Sequence, residues 1–403
     1  MSAPFSGITV LEYAGFVAGP YCGRLLADLG ADVVKIEAPV TGDPARDFGP
    51  FPENIPHREK SGLFLHLSLN KRSITLDPST PTGKELFVKL AAKADVLLED
   101  SPPGHMAALG LGYSELQEIN PSLIYVSVTP YGQNGPQAGW KAQHINTFHA
   151  SGEGYTLPGG ATYSMFPDRA PVSGGTHLGE YDAGLIAASG TVAALYAREV
   201  WGRGQHVDVS KQEATFGLNR LMFTQAQAEG QVVDRTRSYV YGGIFPCNNG
   251  YVMLYPREDR QWRALAEIMD QPELADDARF LSRTARIQNA GELNRIISQW
   301  AETLGKDEIY SLVAPSGCPV GLYADSQDMH KSPQLKARRF FQDVDHPQAG
   351  QLTYPVRPYR FSGLGEDGPK PAPLLGQHNE EIFCGELGLP PSDLADLQRA
   401  GVV

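Results

Sequence analysis

The chain has 403 residues, 41% hydrophobic and 20% charged, a globular composition, and it exceeds the length at which one hydrophobic core stops growing, so two domains are expected. A formal net charge of −12 excludes the basic footprint that nucleic acid or an anionic membrane surface demands, leaving room for a local basic patch alone. Cys22, Cys247, Cys318 and Cys384 form no CxxC pair, so neither a disulfide framework nor a zinc site is suggested, and neither a signal sequence over Met1 to Val10 nor a bilayer-length apolar run is found; the expectation is a reduced, cytoplasmic protein.

In chain order, Ile8 to Tyr13 reads as a strand, Tyr21 to Leu29 as a helix and Asp32 to Glu37 as a second strand, which is a βαβ unit. The alternation continues through a strand at Ser73 to Asp77, a helix at Pro81 to Ala94 opened by its proline, and strands at Asp95 to Glu99 and Leu123 to Thr129. This predicts an α/β fold with a mostly parallel, doubly wound sheet. Leu185 to Val200 reads as a long, buried, apolar helix, and Gly202 to Ser210 as a tight turn into a strand. From Lys211 a helix runs to about Glu229, after which Gly230, Gly242, Gly243 and Gly250 punctuate short strands such as Tyr251 to Tyr255. A domain change is placed there: residues 1–220 form a large domain, 221–324 a small one with helices at Gln261 to Met269, Ala290 to Thr303 and Lys306 to Ala314, and 325–403 return to the first.

The segment Gly179, Glu180, Tyr181, Asp182, Ala183, Gly184 puts two carboxylates at the mouth of the long helix. There the positive end of the macrodipole keeps a carboxylate ionised and nucleophilic. Residues two apart on a helix do not share a face, so Glu180 and Asp182 do not make a dyad. Gly15, Gly19 and Gly23 between two strands, with Glu37 closing the second, imitate a dinucleotide-binding unit. The spacing is not GxGxxG, and Pro20 sits where amide donors belong, so close helix-to-strand packing is the stronger reading. His144 and His149 lack HxxH or HExxH spacing, which gives no metal site, and neither a GxSxG elbow nor a phosphate-binding GxxxxGK[ST] loop occurs.

Several segments together are similar to the family III CoA-transferases, the group that includes formyl-CoA transferase and carnitine CoA-transferase and is related to α-methylacyl-CoA racemase. They are Gly7 to Leu11 with Ala18, Gly19 and Pro20; Leu29 to Glu37 with Gly42, Asp43 and Arg46; Asn70 to Ser73; Ala94 to Glu99; Asn120 and Pro121 with Tyr131 to Pro136; Gly202 to Ser210; Gly317 to Gly321; and Ala372 to Gly376. The resemblance runs from end to end. It implies a Rossmann-like large domain formed by both chain ends, a smaller inserted α+β domain and an interlocked homodimer. It also implies acyl-CoA and a carboxylic acid as substrates, with no tightly bound cofactor and no metal.

The resemblance further implies a nucleophilic carboxylate at Glu180, where the family carries aspartate, passing through a mixed anhydride and an enzyme-CoA thioester. Backbone N–H groups near Val17 and Ala18 would stabilise the oxyanion, and Gly242 with Gly243 would shorten the family's shielding glycine loop. The extra methylene leaves three possibilities open: Glu180 as nucleophile, Asp182 in its place, or loss of transferase activity. Positions that bind CoA in the family correspond to Val17, Ala18, Leu76, Asp100, Ser101, Pro102 and His105, while its nucleotide-contacting arginine falls on Ala108. Arg72, Lys71 or Arg46 would then grip CoA instead. The family's racemase histidine falls on Gln143, beside His144, which makes an acyl-CoA racemase using Glu180 and His144 the alternative enzyme; a non-catalytic CoA-ester binding protein is the other alternative.

Overall fold

The computed structural model describes residues 3–159, 162, 166–218, 220–230, 235, 241–363 and 368–403. The chain divides into two compact units, one made of residues 1–154, 173–224 and 337–403 and the other of 155–172 and 225–336.

The first unit is built on six parallel strands: β1 (Thr9–Tyr13), β2 (Asp32–Glu37), β3 (Lys71–Thr75), β4 (Val96–Glu99), β5 (Ile124–Thr129) and β6 (His206–Ser210). Their spatial order is β3-β2-β1-β4-β5-β6, the doubly wound order whose progression across the sheet switches sides between β1 and β4. Its helices include α1 (Ala18–Asp28), α2 (Gly62–Leu67), α3 (Pro81–Ala91), α4 (His105–Ala108), α5 (Tyr113–Ile119), α6 (His144–Ala150), α7 (Leu178–Trp201) and α8 (Lys211–Leu218).

Successive strand residues point to opposite faces, so the sheet feeds two cores. Leu11, Val34, Ile74, Leu97 and Tyr125 pack with Leu86, Phe87 and Leu90 of α3 and with Ile382 and Phe383 of the tail. Val10, Val33, Val96, Leu98 and Val126 pack instead with Leu26 of α1 and Ala183, Ala187 and Ala194 of α7. Each large apolar side chain so buried contributes about 1.5–3 kcal/mol. Sheets buried on both faces are written in continuous β-branched runs, which is why these strands read clearly.

The tail returns to the first unit through named bonds. The Thr75 N–H donates to Asn379 Oδ1 at 2.9 Å, the Gly376 N–H to Ser73 Oγ at 3.1 Å, and the Asp77 N–H to the Val402 carbonyl at 2.8 Å. The second unit carries a three-stranded antiparallel sheet, β7 (Gly243–Cys247), β8 (Gly250–Leu254) and β9 (Val320–Leu322), over a core of Trp262, Leu265, Phe280, Leu293, Ile297 and Ile309.

Two expectations are corrected. The long helix begins at Leu178 rather than Leu185, so Glu180 and Asp182 lie inside its first turns instead of ahead of it. Nor is it buried all round: Ala183, Ala187, Thr191 and Ala194 form an inward stripe of small residues, whereas Tyr196 is 74% and Trp201 61% exposed. The helix expected from Lys211 to about Glu229 is met by the helical residues Lys211–Leu218 and Arg220–Glu229.

Candidate active site

The loop after β1 builds one wall. Both carboxylate oxygens of Asp100, just past β4, accept the Gly15 N–H at 3.2 and 3.0 Å, which ties the two strand ends together at the carboxyl edge. Phe16 takes a left-handed backbone, φ 65°, and its N–H reaches Asp43 Oδ1 at 3.0 Å. Its ring meets His177 edge-on, centroids 4.8 Å apart. The chain then enters α1, whose first-turn amides have no partner inside the helix and face an anion readily.

Helix α7 forms the second wall; packing dictates Gly184 and leaves little room at Gly179, the glycines that flank its carboxylates. A Cβ at Gly179 would lie 3.1 Å from Thr215 Oγ1, 3.4 Å from Phe148 and 3.5 Å from His144. A Cβ at Gly184 would lie 2.6 Å from the Ala18 carbonyl oxygen, because α7 crosses the start of α1 there. Glu180 is the third residue of this helix, where the macrodipole still acts. It is 5% exposed, and its Oε2 accepts a bond from Lys211 Nζ at 2.7 Å. Among the described residues its Oε1 has no hydrogen bond.

His144 opens α6 and turns its ring toward the same helix start. Its Nε2 accepts the Gly179 N–H at 3.1 Å, and burial holds its pKa below the ordinary imidazole value against the opposing charge of Glu180. The neutral ring is therefore an acceptor here. Asp182, half-buried, has its carboxyl raised by desolvation, and its charge bears on Glu153. Gln143 is the N-cap of α6, in a reciprocal pair with Asn146.

The structure gathers most of the expected CoA-binding positions on one rim. Val17 and Ala18 start α1, Leu76 leaves β3, Asp100 and Ser101 leave β4, and Pro102 and His105 follow, all at the carboxyl end of the sheet, where open α/β sheets bind ligands; the side chains of Val17, Ala18 and Leu76 are buried in the core, whereas Pro102 and His105 are exposed. Arg72 does not join them. As the second residue of β3 it lies toward the amino end, holding Asp32 at 2.5 Å, Glu386 at 2.5 Å and Glu381 at 2.9 Å. It borders a cleft of about 1230 Å³ whose lining includes Arg24, Arg357, Arg360 and Lys370 but neither Glu180 nor Lys211. Lys71 and Arg46 are fully engaged in buried pairs with Glu12 and with Glu37 and Glu59. Gly242 and Gly243 sit in the second unit, at the start of β7. The Gly242 N–H donates to Asn294 Oδ1 at 2.8 Å, and a Cβ there would lie 2.8 Å from the Leu254 carbonyl oxygen.

Glu37, the imitation ribose acid, is spent on structure: it accepts from Arg46 Nε at 2.6 Å, Arg46 Nη2 at 2.8 Å, Ser73 Oγ at 2.6 Å and the Asp43 N–H at 2.9 Å. Gly19 and Gly23 are packing glycines, with a Cβ falling 2.4 Å from that of Ala14 and 1.8 Å from Glu12 Oε2 respectively.

Residues 5–379 match the family model described as CoA-transferase family III. The chain belongs to that family. It is 35% identical to a succinyl-CoA–D-citramalate CoA-transferase of Chloroflexus aurantiacus, over 99% of this chain and 98% of the relative. It is 33% identical to a formyl-CoA:oxalate CoA-transferase of Streptomyces avermitilis over all of both chains. Among solved structures, a CAIB/BAIF family protein from Brucella suis superposes with a TM-score of 0.84 at 29% identity, covering 96% of this chain and 100% of that one. The residue that sequence reading missed is Lys211, the partner of Glu180. Lys211 follows β6 directly and is 31 positions away, so no spacing signals the pair. No helix among the described residues is long and apolar enough to cross a membrane.

Proposed function

We propose that this family III enzyme moves CoA from an acyl-CoA thioester to a carboxylic acid, with Glu180 as the covalent carrier. The observation that carries this is a carboxylate seated between two closely packed glycines at a helix start, with one oxygen on Lys211 and, among the described residues, the other unbonded. Oε1 attacks the thioester carbonyl and expels CoA thiolate, leaving a mixed anhydride. The thiolate then attacks the Glu180 carbonyl, releasing the donor acid and forming a Glu180-CoA thioester. An acceptor carboxylate reverses both steps. The anhydride keeps the acyl group activated throughout, which is why a carboxylate suits the task.

The amides of Ala18 and Gly19 at the start of α1 are the donors for the developing oxyanion. CoA runs along the rim from Val17 and Ala18 past Leu76 to Asp100, Ser101, Pro102 and His105. Glutamate reaches one methylene, roughly 1.5 Å, further than aspartate, and that reach brings it to Lys211. Racemisation would ask His144 for a base at Nε2, the atom that accepts the Gly179 amide. The working enzyme is an interlocked homodimer. The apolar outer face of α7, with Leu185, Tyr196, Val200 and Trp201 exposed, supports this because such a face needs cover. Its check is a solution mass of twice 43.7 kDa.

Trapping tests the chemistry. The enzyme is incubated with succinyl-CoA or formyl-CoA, the donors named for its relatives, then with hydroxylamine or borohydride, and digested for mass spectrometry. Modification is expected at Glu180. Modification at Asp182 would move the carrier, exchange of the α-proton without modification would mean racemisation, and neither would mean that the Lys211 pair is purely structural.

A further inference from the structure

Lys211 is a poor residue to place beside a nucleophile. An ammonium 2.7 Å from Glu180 Oε2, with the side chains only 16% and 6% exposed, draws electron density from the attacking group and costs desolvation. The pair changes once the chemistry begins. In the resting enzyme Glu180 carries the compensating charge. In the thioester state Glu180 is neutral, one of its oxygens having left with the donor acid, and Lys211 is left as a largely buried cation. The charge of Asp100 also interacts with Lys211, but among the described residues no hydrogen bond joins the two, and the Asp100 oxygens share the Gly15 amide. His144 also faces this cation and, being neutral, supplies no charge. A buried cation that has lost its partner takes up an anion if one fits.

We infer that Lys211 is the positioning residue for the acceptor acid: its ammonium passes from Glu180 to the incoming carboxylate only after Glu180 has become a CoA thioester. This rests on the carrier reading above and adds an order of events to it. Seated on Lys211, an acceptor oxygen attacks the Glu180 thioester carbon. A C–O bond forms and the C–S bond breaks, with its electron pair leaving on CoA thiolate. No proton moves, and Lys211 stays an ammonium throughout. While Glu180 is free, the same ammonium is occupied, so a free acid does not compete with acyl-CoA for the resting site.

The test separates the two half-reactions, using succinyl-CoA as donor and ¹³C-labelled succinate as acceptor. Donor loading is read as the Glu180-CoA adduct formed without acceptor, and acceptor use as the KM for labelled succinate. Lys211→Met is expected to raise that KM by about 10- to 100-fold, far more than it slows loading, as loss of one charge-assisted hydrogen bond predicts. Lys211→Arg is expected to restore most of the loss. In the unmodified enzyme, succinate should not inhibit loading competitively. Equal losses in both half-reactions, an unchanged KM, or competitive inhibition of the resting enzyme by succinate would overturn the inference. If Lys211→Met fails to fold, the Arg variant and the inhibition pattern still decide. If the unmodified enzyme turns over with no adduct at Glu180, the carrier reading falls instead.

Discussion

Two sets of buried charges in the first unit are built on opposite plans. Beneath the loop after β1, Glu12 binds Lys35 at 2.9 Å and Lys71 at 2.7 Å, Lys35 also reaches Asp43 at 2.6 Å and the Ala14 carbonyl at 2.7 Å, and Lys71 reaches the Pro20 carbonyl at 2.7 Å. Glu37, Arg46, Glu59 and Ser73 form a second saturated group, with Arg46 stacked 3.6 Å over Phe64. At the start of α7, by contrast, Glu180 has one partner and one unbonded oxygen. Saturation holds strands and tail in register, since an uncompensated buried charge is strongly destabilising. Incomplete pairing leaves an atom available for chemistry.

The sharpest way to break this contrast is Glu180→Gln. CoA transfer should fall at least ~10³-fold, in line with loss of a covalent nucleophile, while the urea midpoint falls because Lys211 loses its countercharge, though by less than for a fully buried network since Lys211 is 16% exposed. An isotope-exchange assay beside a denaturation curve checks both, and normal exchange by the variant would remove Glu180 from the mechanism. Glu12→Ala is the converse: it strands Lys71, takes one of two carboxylates from Lys35 and should cost about 3–5 kcal/mol of stability, with activity per folded molecule falling much less. A mild denaturation phenotype would mean that the two networks are not different in kind.

Gly184→Ala is expected to cost about 1–3 kcal/mol, because its Cβ would meet the Ala18 carbonyl oxygen at 2.6 Å. It should also slow transfer by about 10- to 100-fold by moving Glu180 relative to the α1 amides. The smallest effect concerns pH. Burial pushes the Asp100 carboxyl up from 3.8 to about 7, against the pull of Lys211 and the Gly15 amide. The folded state therefore holds a proton that the unfolded chain releases near pH 4, and stability from this group declines as pH rises from about 4 through about 7. Asp100→Asn should flatten that decline, measured as urea midpoints at either end of the window; an unaltered slope would mean that the group does not titrate there.

Much of the fold was legible. Strands β2, β4 and β5 were located to within a residue because a sheet covered on both faces leaves short runs rich in Val, Ile and Leu. The start of α7 was not legible, because its N-cap is His177 at φ 61° with no capping side chain, in place of the usual Ser, Thr, Asp or Asn. Its apolar composition suggested burial on all sides, yet only one face, mostly small residues with Glu180 and Leu195, is buried. The three cations proposed to hold CoA carry the same charge in sequence as any ligand-binding arginine; only their partners show them to be committed elsewhere.

By itself the sequence determined the parallel α/β frame, through local periodicity, and the family, through the resemblance of short segments along the chain, and it put Glu180 and Asp182 in one segment between two glycines. Tertiary structure alone decided that Lys211 would meet Glu180 and that Arg72 would lie toward the far end of the sheet. It also decided that Gly179 and Gly184 would be small for reasons of contact. Each of these depends on which segments cross in space, and crossing is set by packing of the whole sheet rather than by any neighbouring residue.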